Sequence, residues 1–247
     1  MPSHSVQRIL TYCFLVLLII VMFYFLLSLY TIKPGNRGLT FTEGIGIVKY
    51  PQNQTAFKFT TPDGVTIITD PYYMDETVEA DIVTESHNHS DHTDVSRITG
   101  DYSLLTKIGS YDVLGVHIEG YPGVHNAGDD SITNIIFVFE IDDIRIAQFG
   151  SQGAVPDAQT LAEIGDIDIL IIQFMEYNTK MTPGQASEVA KALNAKIIIP
   201  AHGDPEKNDE FAEMLPCAIE EMSSGKLIIT REELDNMQGP TLVILDN

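Results

Sequence analysis

The chain has 247 residues, of which 44% are hydrophobic and 20% are charged, which suits one globular domain with an appendage rather than two full domains. Its formal net charge of −21 repels nucleic-acid phosphates and argues against DNA or RNA as a partner. Of the two cysteines, Cys13 lies in an apolar segment and neither has zinc-knuckle spacing, so no disulfide framework or cysteine-based zinc site is expected.

The N-terminal residues 1–32 are predicted to form a transmembrane signal anchor. The run from Ile9 to Ile32 contains no charged residue, and about 20 apolar residues are enough to cross a bilayer core. A cleaved signal peptide is the weaker interpretation, because its apolar region is shorter, roughly 7–15 residues, and ends in a small-residue cleavage site. A buried core helix is also weaker, because this run is apolar on every face.

The anchor is expected to make the protein a single-pass membrane protein. Arg8 on one side and Lys33 on the other nearly balance under the positive-inside rule, and we expect the domain to be extracytoplasmic. Residues 33–38 are rich in turn-forming residues and are predicted to be a linker, and residues 39–247 to be the domain.

The first half of the domain is predicted to consist of strands. The strand-like runs are Gly46–Tyr50, Ala56–Thr60, Val65–Thr69, Asp81–Glu85, Val113–Glu119, Ile135–Glu140 and Ile144–Phe149. Asp63-Gly64 and Asp142-Asp143 are predicted as hairpin turns.

The second half alternates helices with buried strands. The predicted helices are Ala158–Ile164, a helix from Thr182-Pro183 to about Asn194, and Asn208–Met214, and the predicted strands are Ile167–Phe174, Lys196–Pro200 and Lys226–Thr230. This order predicts an α/β layered protein with sheets in the middle and helices outside.

Potential metal ligands cluster directly after the predicted strand Asp81–Glu85. The segment His87-Asn88-His89-Ser90-Asp91-His92 holds three of the chain's seven histidines. Imidazole and carboxylate suit Zn, Mn or Fe. A loop at a strand end can aim alternate side chains at one point and, after a turn, the next two at a neighbouring point. One metal therefore takes His87 and His89 and a second takes Asp91 and His92, and the competing interpretation is a polar surface loop.

The chain at this point resembles the metallo-β-lactamase superfamily, and within it the UlaG-like, lactonase-type branch of metal-dependent hydrolases. The resemblance runs from about Gly38 to the end. Besides the His-x-His-x-Asp-His cluster, the matching segments are Asp70-Pro71-Tyr72, Gly120–His125, Thr133–Glu140 and Ile197–His202. The resemblance implies a four-layer αββα sandwich, here preceded by one transmembrane helix, with the metal site at one edge of its two sheets.

The resemblance also implies the ligands. They are His87, His89 and His125 for the first metal and Asp91, His92 and His202 for the second, with zinc as the expected metal, one or two ions, and Mn or Fe as alternatives. His202 has independent support, because it follows a buried strand at its C-terminal end. His117 is interpreted as strand packing.

Ser151 departs from the family pattern. The family has an Asp after a Gly at this point, and that Asp bridges both metals, whereas this chain has Gly150-Ser151. A neutral hydroxyl is a poor bridging ligand, so the second metal binds more weakly or another acid replaces it. Glu176 and Asp204 are the candidates, and a site with one metal or an inactive site are the alternatives.

Two functions follow. The first is a hydrolase whose metal-bound hydroxide cleaves an ester, lactone, amide or phosphodiester, with Asp91 orienting the hydroxide and His202 or a water protonating the leaving group. The anchor favours a small-molecule or lipid-derived substrate. The second is a membrane-tethered metal-binding domain with weak or no catalysis, which Ser151 supports.

Overall fold

The computed structural model describes residues 43–50, 55–175, 179–201 and 205–245, with the backbone alone for 129–132 and 205. The predicted anchor and linker, residues 1–38, lie outside these ranges. Within them, no helix is both long enough and apolar enough to span a bilayer.

Seven short strands and a 3₁₀ helix (Val95–Arg97) form the N-terminal part. The strands are β1 (Ile45–Lys49), β2 (Phe57–Thr60), β3 (Thr66–Thr69), β4 (Val78–Glu79), β5 (Ile82–Thr84), β6 (Ile98–Thr99) and β7 (Ser103–Leu105).

Longer strands come next, followed by alternating helices and strands. The elements are β8 (Gly109–Val113), β9 (Val116–Asn126), β10 (Asp129–Ile141), β11 (Ile144–Gln148), α1 (Ala158–Ile164), β12 (Ile169–Gln173), α2 (Pro183–Ala192), β13 (Ile197–Ala201), α3 (Pro205–Met214), β14 (Ala218–Met222), β15 (Lys226–Ile229), α4 (Arg231–Asn236) and β16 (Thr241–Leu245).

The strands form two large sheets and one small one. The first has six strands in the order β15-β1-β2-β3-β5-β7, and the second has eight in the order β14-β16-β13-β12-β11-β10-β9-β8, while β4 pairs with β6. In the eight-stranded sheet β8 to β11 are antiparallel, and β11, β12, β13, β16 and β14 are parallel. The helices between the parallel strands are the crossovers that such pairing requires.

The two sheets pack face to face around the main core. Phe57 and Phe59 of β2 and Phe137 and Phe139 of β10 are fully buried in it. The rings of Phe59 and Phe139 meet edge to face across the sheets, with centroids 5.3 Å apart. Burial of each such ring contributes roughly 1.5–3 kcal/mol, so this layer is the main source of stability.

The outer faces of the two sheets are covered differently. Helices α1, α2 and α3 cover the eight-stranded sheet, where Ile164, Val189 and Phe211 pack on its outward residues. The outer face of the six-stranded sheet carries Ile68 and Val83 and packs against the 3₁₀ helix and the β4-β6 pair. The α/β layered prediction is therefore confirmed, although among the described residues this last layer contains no α-helix.

Most predicted elements are present, and one was wrong. Asp142 and Asp143 both adopt left-handed backbone, with φ of 47° and 62°, as the predicted hairpin turn requires. The predicted strand Val113–Glu119 is instead divided by a turn at Leu114 and Gly115, whose φ values are 51° and 84°. The apolar alternation continues through this turn, which concealed it.

The strand ends bring one set of loops together. The ends of β3, β5, β9, β11 and β12 meet at the same edge of the two sheets, as the contacts of Asp70 with Ser86, of His87 with His125 and of Gln173 with Ser151 show. Side chains that lie far apart in sequence therefore line a single site.

Candidate metal centre

Asp70 anchors the site from the end of β3. Its side chain is only 1% exposed and its φ is 46°, a left-handed conformation that Asp tolerates better than most residues. Oδ1 accepts a hydrogen bond from the Ser86 backbone amide at 2.7 Å, and Oδ2 accepts one from the Ser86 hydroxyl at 2.9 Å. A buried carboxylate thus fixes Ser86, the first residue of the segment Ser86–His92, which we call the histidine loop.

His87 is held in one tautomer by this contact. Its Nδ1 lies 3.0 Å from Ser86 Oγ, whose single hydrogen already goes to Asp70. Nδ1 must therefore donate, which leaves a lone pair on Nε2. Nε2 is buried without a hydrogen-bond partner among the described residues. A carboxylate that orients a histidine in this way is the usual outer support of a metal ligand.

Tight turns shape the rest of the histidine loop. The amide of His89 donates to the carbonyl of His87 at 3.0 Å, and the amide of His92 donates to the carbonyl of His89 at 2.9 Å. Asn88 and Ser90 point outwards and are exposed. The alternation predicted for His87 and His89 is therefore present, and after the turn His92 is buried as well.

Four imidazole rings form one cluster around His87. Its ring centroid lies 4.7 Å from that of His89, 4.1 Å from His92 and 4.5 Å from His125. The potential ligand atoms of His87, His89 and His125 all lie within 4.8 Å of one another. The structure thus brings together the three histidines that the resemblance assigns to the first metal, with His125 supplied by β9.

His92 and Asp91 form the neighbouring part of the site. His92 is buried, with Nδ1 3.1 Å from Asp70 Oδ2 and Nε2 3.9 Å from Asp91 Oδ2. The Asp91 side chain is 51% exposed. Their assignment to a second metal stays a prediction.

Ser151 sits in a cradle at the end of β11. Its amide donates to Asn134 Oδ1 at 3.1 Å, and Asn134 Nδ2 donates to the Phe149 carbonyl at 2.9 Å. Gly150 has a φ of 55°, and a Cβ there would lie 2.5 Å from Ser86 Cβ. Close packing of this turn on the histidine loop therefore requires glycine.

Lys180 reaches the cluster from the segment before α2. Its Nζ lies 2.8 Å from Ser151 Oγ, 2.8 Å from the His125 carbonyl and 3.1 Å from His125 Nε2. An ammonium group therefore stands between the serine and the histidines.

Burial and mutual repulsion keep the core of the site from gaining protons. Burial, with the neighbouring histidines, lowers the pKa of His87 to about 2. Burial, and after it the positive charge of Lys180, lowers the pKa of His125 to about 4. Burial lowers the pKa of Lys180 to about 8, so it still carries most of its charge at pH 7. Neutral imidazole is the form that binds metals, and the cluster is therefore ready for a cation.

Three residues named from the sequence lie outside the described residues: His202, Glu176 and Asp204. His117 is described and lies on a strand outside the three-histidine group, as predicted, although it is only partly buried there. It lies on β9 with a side chain that is 40% exposed and contacts Asp112 and Glu119 at 2.8 and 3.1 Å.

Sequence reasoning missed Lys180 and the supporting role of Ser86. The segment around Lys180 carries no local motif beyond the helix cap at Thr182, so only the fold shows where the lysine points. Ser86 directly precedes the histidine cluster and follows β5, and the Asp70-Pro71 motif was the available signal for its partner.

The chain is similar to known proteins in both sequence and structure. Residues 51–202 match the β-lactamase superfamily domain. A Thermotoga maritima structure assigned to the Zn-dependent hydrolases of the metallo-β-lactamase superfamily is 30% identical, with a TM-score of 0.68, covering 82% of this chain and 98% of that one.

Two further proteins are similar to this chain. A UPF0173 metal-dependent hydrolase from Listeria monocytogenes is 25% identical over 188 residues, which are 60% of this chain and 82% of the relative. A metal-dependent hydrolase structure from Parabacteroides distasonis is 17% identical, with a TM-score of 0.59, over 82% of this chain and 99% of that one, and shows the fold alone.

The two packed sheets and the histidine cluster define an α/β protein of the metallo-β-lactamase fold. The chain belongs to the metallo-β-lactamase superfamily, on the strength of the domain match over residues 51–202 and the Thermotoga maritima relative.

Proposed function

We propose that this chain is a metal-dependent hydrolase that cleaves an ester, lactone, amide or phosphodiester bond with a metal-activated water. The observation that carries the proposal is the group His87, His89 and His125, whose ligand atoms lie within 4.8 Å of one another. The buried and unpartnered Nε2 of His87, oriented through Ser86, fits a metal ligand. The relatives named as metal-dependent hydrolases support the reaction class.

Zinc is the metal that we propose, because three imidazoles are a common zinc-binding set, although Mn and Fe accept the same donors. When bound, such a metal supplies a Lewis acid and lowers the pKa of a bound water to about 7. Asp91 is the half-exposed carboxylate beside His92, and it would orient the attacking hydroxide. His202 or a water would protonate the leaving group.

A cleft beside His87 is the proposed place for the substrate. It has a volume of about 700 Å³, and its lining includes His87, Asn88, Thr133, Lys107 and Ile108. The half-exposed Ile108 suits an apolar part of a substrate, and Lys107 and Glu85, which both line the cleft, suit polar parts. A small molecule or a lipid-derived molecule with such parts fits this lining.

The uncharged N-terminal run supports a membrane location. We propose a single-pass protein with an extracytoplasmic domain, which would meet lipid-derived substrates at the bilayer. The full chain should remain in the membrane pellet after alkaline carbonate extraction, and release into the supernatant would contradict the anchor.

The finer family assignment is also a proposal. The Asp70-Pro71 strand end and the His-x-His-x-Asp-His cluster support the UlaG-like, lactonase-type branch. The alternative function, a tethered metal-binding domain with weak or no catalysis, rests on Ser151 and is less favoured, because a substrate-sized cleft is lined by His87.

The test is hydrolysis of a lactone, a p-nitrophenyl ester, an anilide and bis(p-nitrophenyl) phosphate by the zinc-loaded full chain. His89→Ala removes one of the three clustered imidazoles and should lower turnover by more than the roughly 10- to 100-fold typical of outer-shell changes. His117→Ala, a change of an exposed histidine on β9, is the matched control and should retain activity. No turnover in the wild type, or equal turnover in His89→Ala, would favour the non-catalytic alternative.

A further inference from the structure

The amine of Lys180 places a positive charge directly beside the histidine cluster. Its Nζ is 3.1 Å from Nε2 of His125, a member of the three-histidine group, whose other ring nitrogen, Nδ1, is buried without a hydrogen-bond partner among the described residues. Lys180 is partly buried, and the ring of His125 is buried. The charge therefore acts on the site with less screening than it would have at the surface.

Hydrogen bonds fix the ammonium in place. Two donors go to the His125 carbonyl and the Ser151 hydroxyl, each at 2.8 Å, and the Ser151 carbonyl lies 3.3 Å away. These oxygens are uncharged. Among the ion pairs of the described residues none includes Lys180, so its charge is not cancelled by a contacting carboxylate there.

The hydroxyl of Ser151 is a hydrogen-bond acceptor for this lysine. Its Oγ accepts from Lys180 at 2.8 Å and from Gln173 Nε2 at 3.3 Å, so two donors point at the oxygen. An oxygen that receives two donors has little electron density left to offer a cation. The serine is thus engaged in holding the lysine.

We propose that the Lys180 ammonium takes the place of a second metal ion, so that the site binds one divalent cation, held by His87, His89 and His125. Lys180 is a positioning residue that supplies a fixed positive charge beside that cation. A second divalent ion near Asp91 and His92 is excluded by repulsion from this charge and by the lack of a free anionic oxygen at Ser151. The inference rests on the proposed metal-dependent function and narrows it to a one-metal site.

The test is the number of zinc ions bound per full chain, measured by elemental analysis after equilibrium dialysis against a range of free zinc. Three variants separate charge from shape. Lys180→Met removes the charge and keeps the length, Lys180→Arg keeps the charge, and Lys180→Met combined with Ser151→Asp adds a carboxylate. Lys191→Met removes a lysine that donates to the Met214 carbonyl from α2, and is the matched control.

We expect one zinc ion in the wild type, Lys180→Arg and Lys191→Met. A second ion should appear in Lys180→Met at high free zinc, and its affinity should rise at least tenfold in the double variant. Substitution by cobalt gives an independent reading, since two adjacent ions couple magnetically and a single ion does not.

Two zinc ions in the wild type, or one ion in Lys180→Met and in the double variant alike, would overturn the inference. Loss of the single ion in both Lys180→Met and Lys180→Arg would also overturn it, because the amine would then be a ligand. Ion counts are read without substrate, so this failure is distinct from a failure to hydrolyse any substrate.

Discussion

Asp70 shows how one residue organises the site. Its carboxylate is buried, accepts two hydrogen bonds from Ser86 and lies 3.1 Å from His92 Nδ1. A left-handed backbone at a buried non-glycine residue costs of order 1–3 kcal/mol and persists only where its surroundings fix it. The residue therefore serves the orientation of the histidines as well as the packing of the strand end.

Asp70→Asn should weaken zinc binding by about 10- to 100-fold, because the amide cannot accept both contacts from Ser86 and also face His92. Competition with a chromogenic chelator measures the affinity. Asp63→Asn, in the exposed turn at the opposite end of β3 from Asp70, is the control and should bind like the wild type. Equal affinities in the two variants would show that Asp70 has no part in orienting the ligands.

His117 gives a pH dependence away from the cluster. Its hydrogen bond with Asp112, and further contacts with Glu119, raise its pKa above the ordinary value of 6.5. Because the folded pKa is the higher one, this stabilisation is complete below pH about 6.5 and is lost as the pH rises through the folded pKa.

His117→Asn should therefore lower the free energy of unfolding at pH 5.5 by a few tenths of a kcal/mol, since the groups are exposed. At pH 8.5 it should have no effect. Urea denaturation at the two pH values measures the difference, and a larger loss at pH 8.5 would reverse the assigned sign.

The turn after β11 shows what an element end contributes. Gly150, with a φ of 55°, lets the turn lie directly against Ser86 and Asn134. Gly115, in the turn between β8 and β9, also has positive φ, of 84°, but has no neighbouring atom within 4 Å of an added Cβ. Substitution of Gly115 therefore tests backbone strain alone, whereas substitution of Gly150 tests backbone strain and a steric clash together.

Gly115→Ala should cost about 1 kcal/mol of stability, from strain alone. Gly150→Ala should cost at least about 2 kcal/mol more, because its Cβ would meet Ser86 Cβ at 2.5 Å and Asn134 Oδ1 at 2.7 Å. It should also weaken zinc binding, since the clash pushes on the histidine loop. Chemical denaturation and zinc titration measure both effects, and equal costs for the two variants would refute the close contact.

At this same scale, local patterns were good guides where they were strong. Thr182-Pro183 predicted the start of α2, where the structure forms a capping box between Thr182 and Gln185, and Ala158–Ile164 has the predicted bounds. The exposed strand β14 went unpredicted, because its residues show no alternation of buried and exposed positions. Its pairing with β16 depends on the assembled sheet rather than on local sequence.

At the scale of the whole molecule, the packing of the two sheets brings together histidines that the sequence motifs place in separate segments. The histidine loop follows β5 of one sheet and His125 lies on β9 of the other, so their meeting requires the two sheets to pack. The resemblance predicted this meeting, whereas composition and periodicity did not. Lys180 could not have been predicted, since its distance from His125 is 55 residues in sequence but 3.1 Å in space.

The packing of the two sheets also explains how buried, uncharged imidazoles are held close together. The core between the sheets is built from fully buried apolar side chains such as Phe59 and Phe139. Core packing can therefore hold the histidine loops close together, although burial penalises their charged forms.

X-ray absorption at the zinc edge of the zinc-loaded full chain tests the central claim most directly, because it counts the imidazole ligands of the bound ion. The account predicts three imidazoles in the wild type, two in His125→Ala, and three in the control His117→Ala. A wild-type spectrum without imidazole scattering, or one that His125→Ala leaves unchanged, would contradict the claim that His87, His89 and His125 hold the metal.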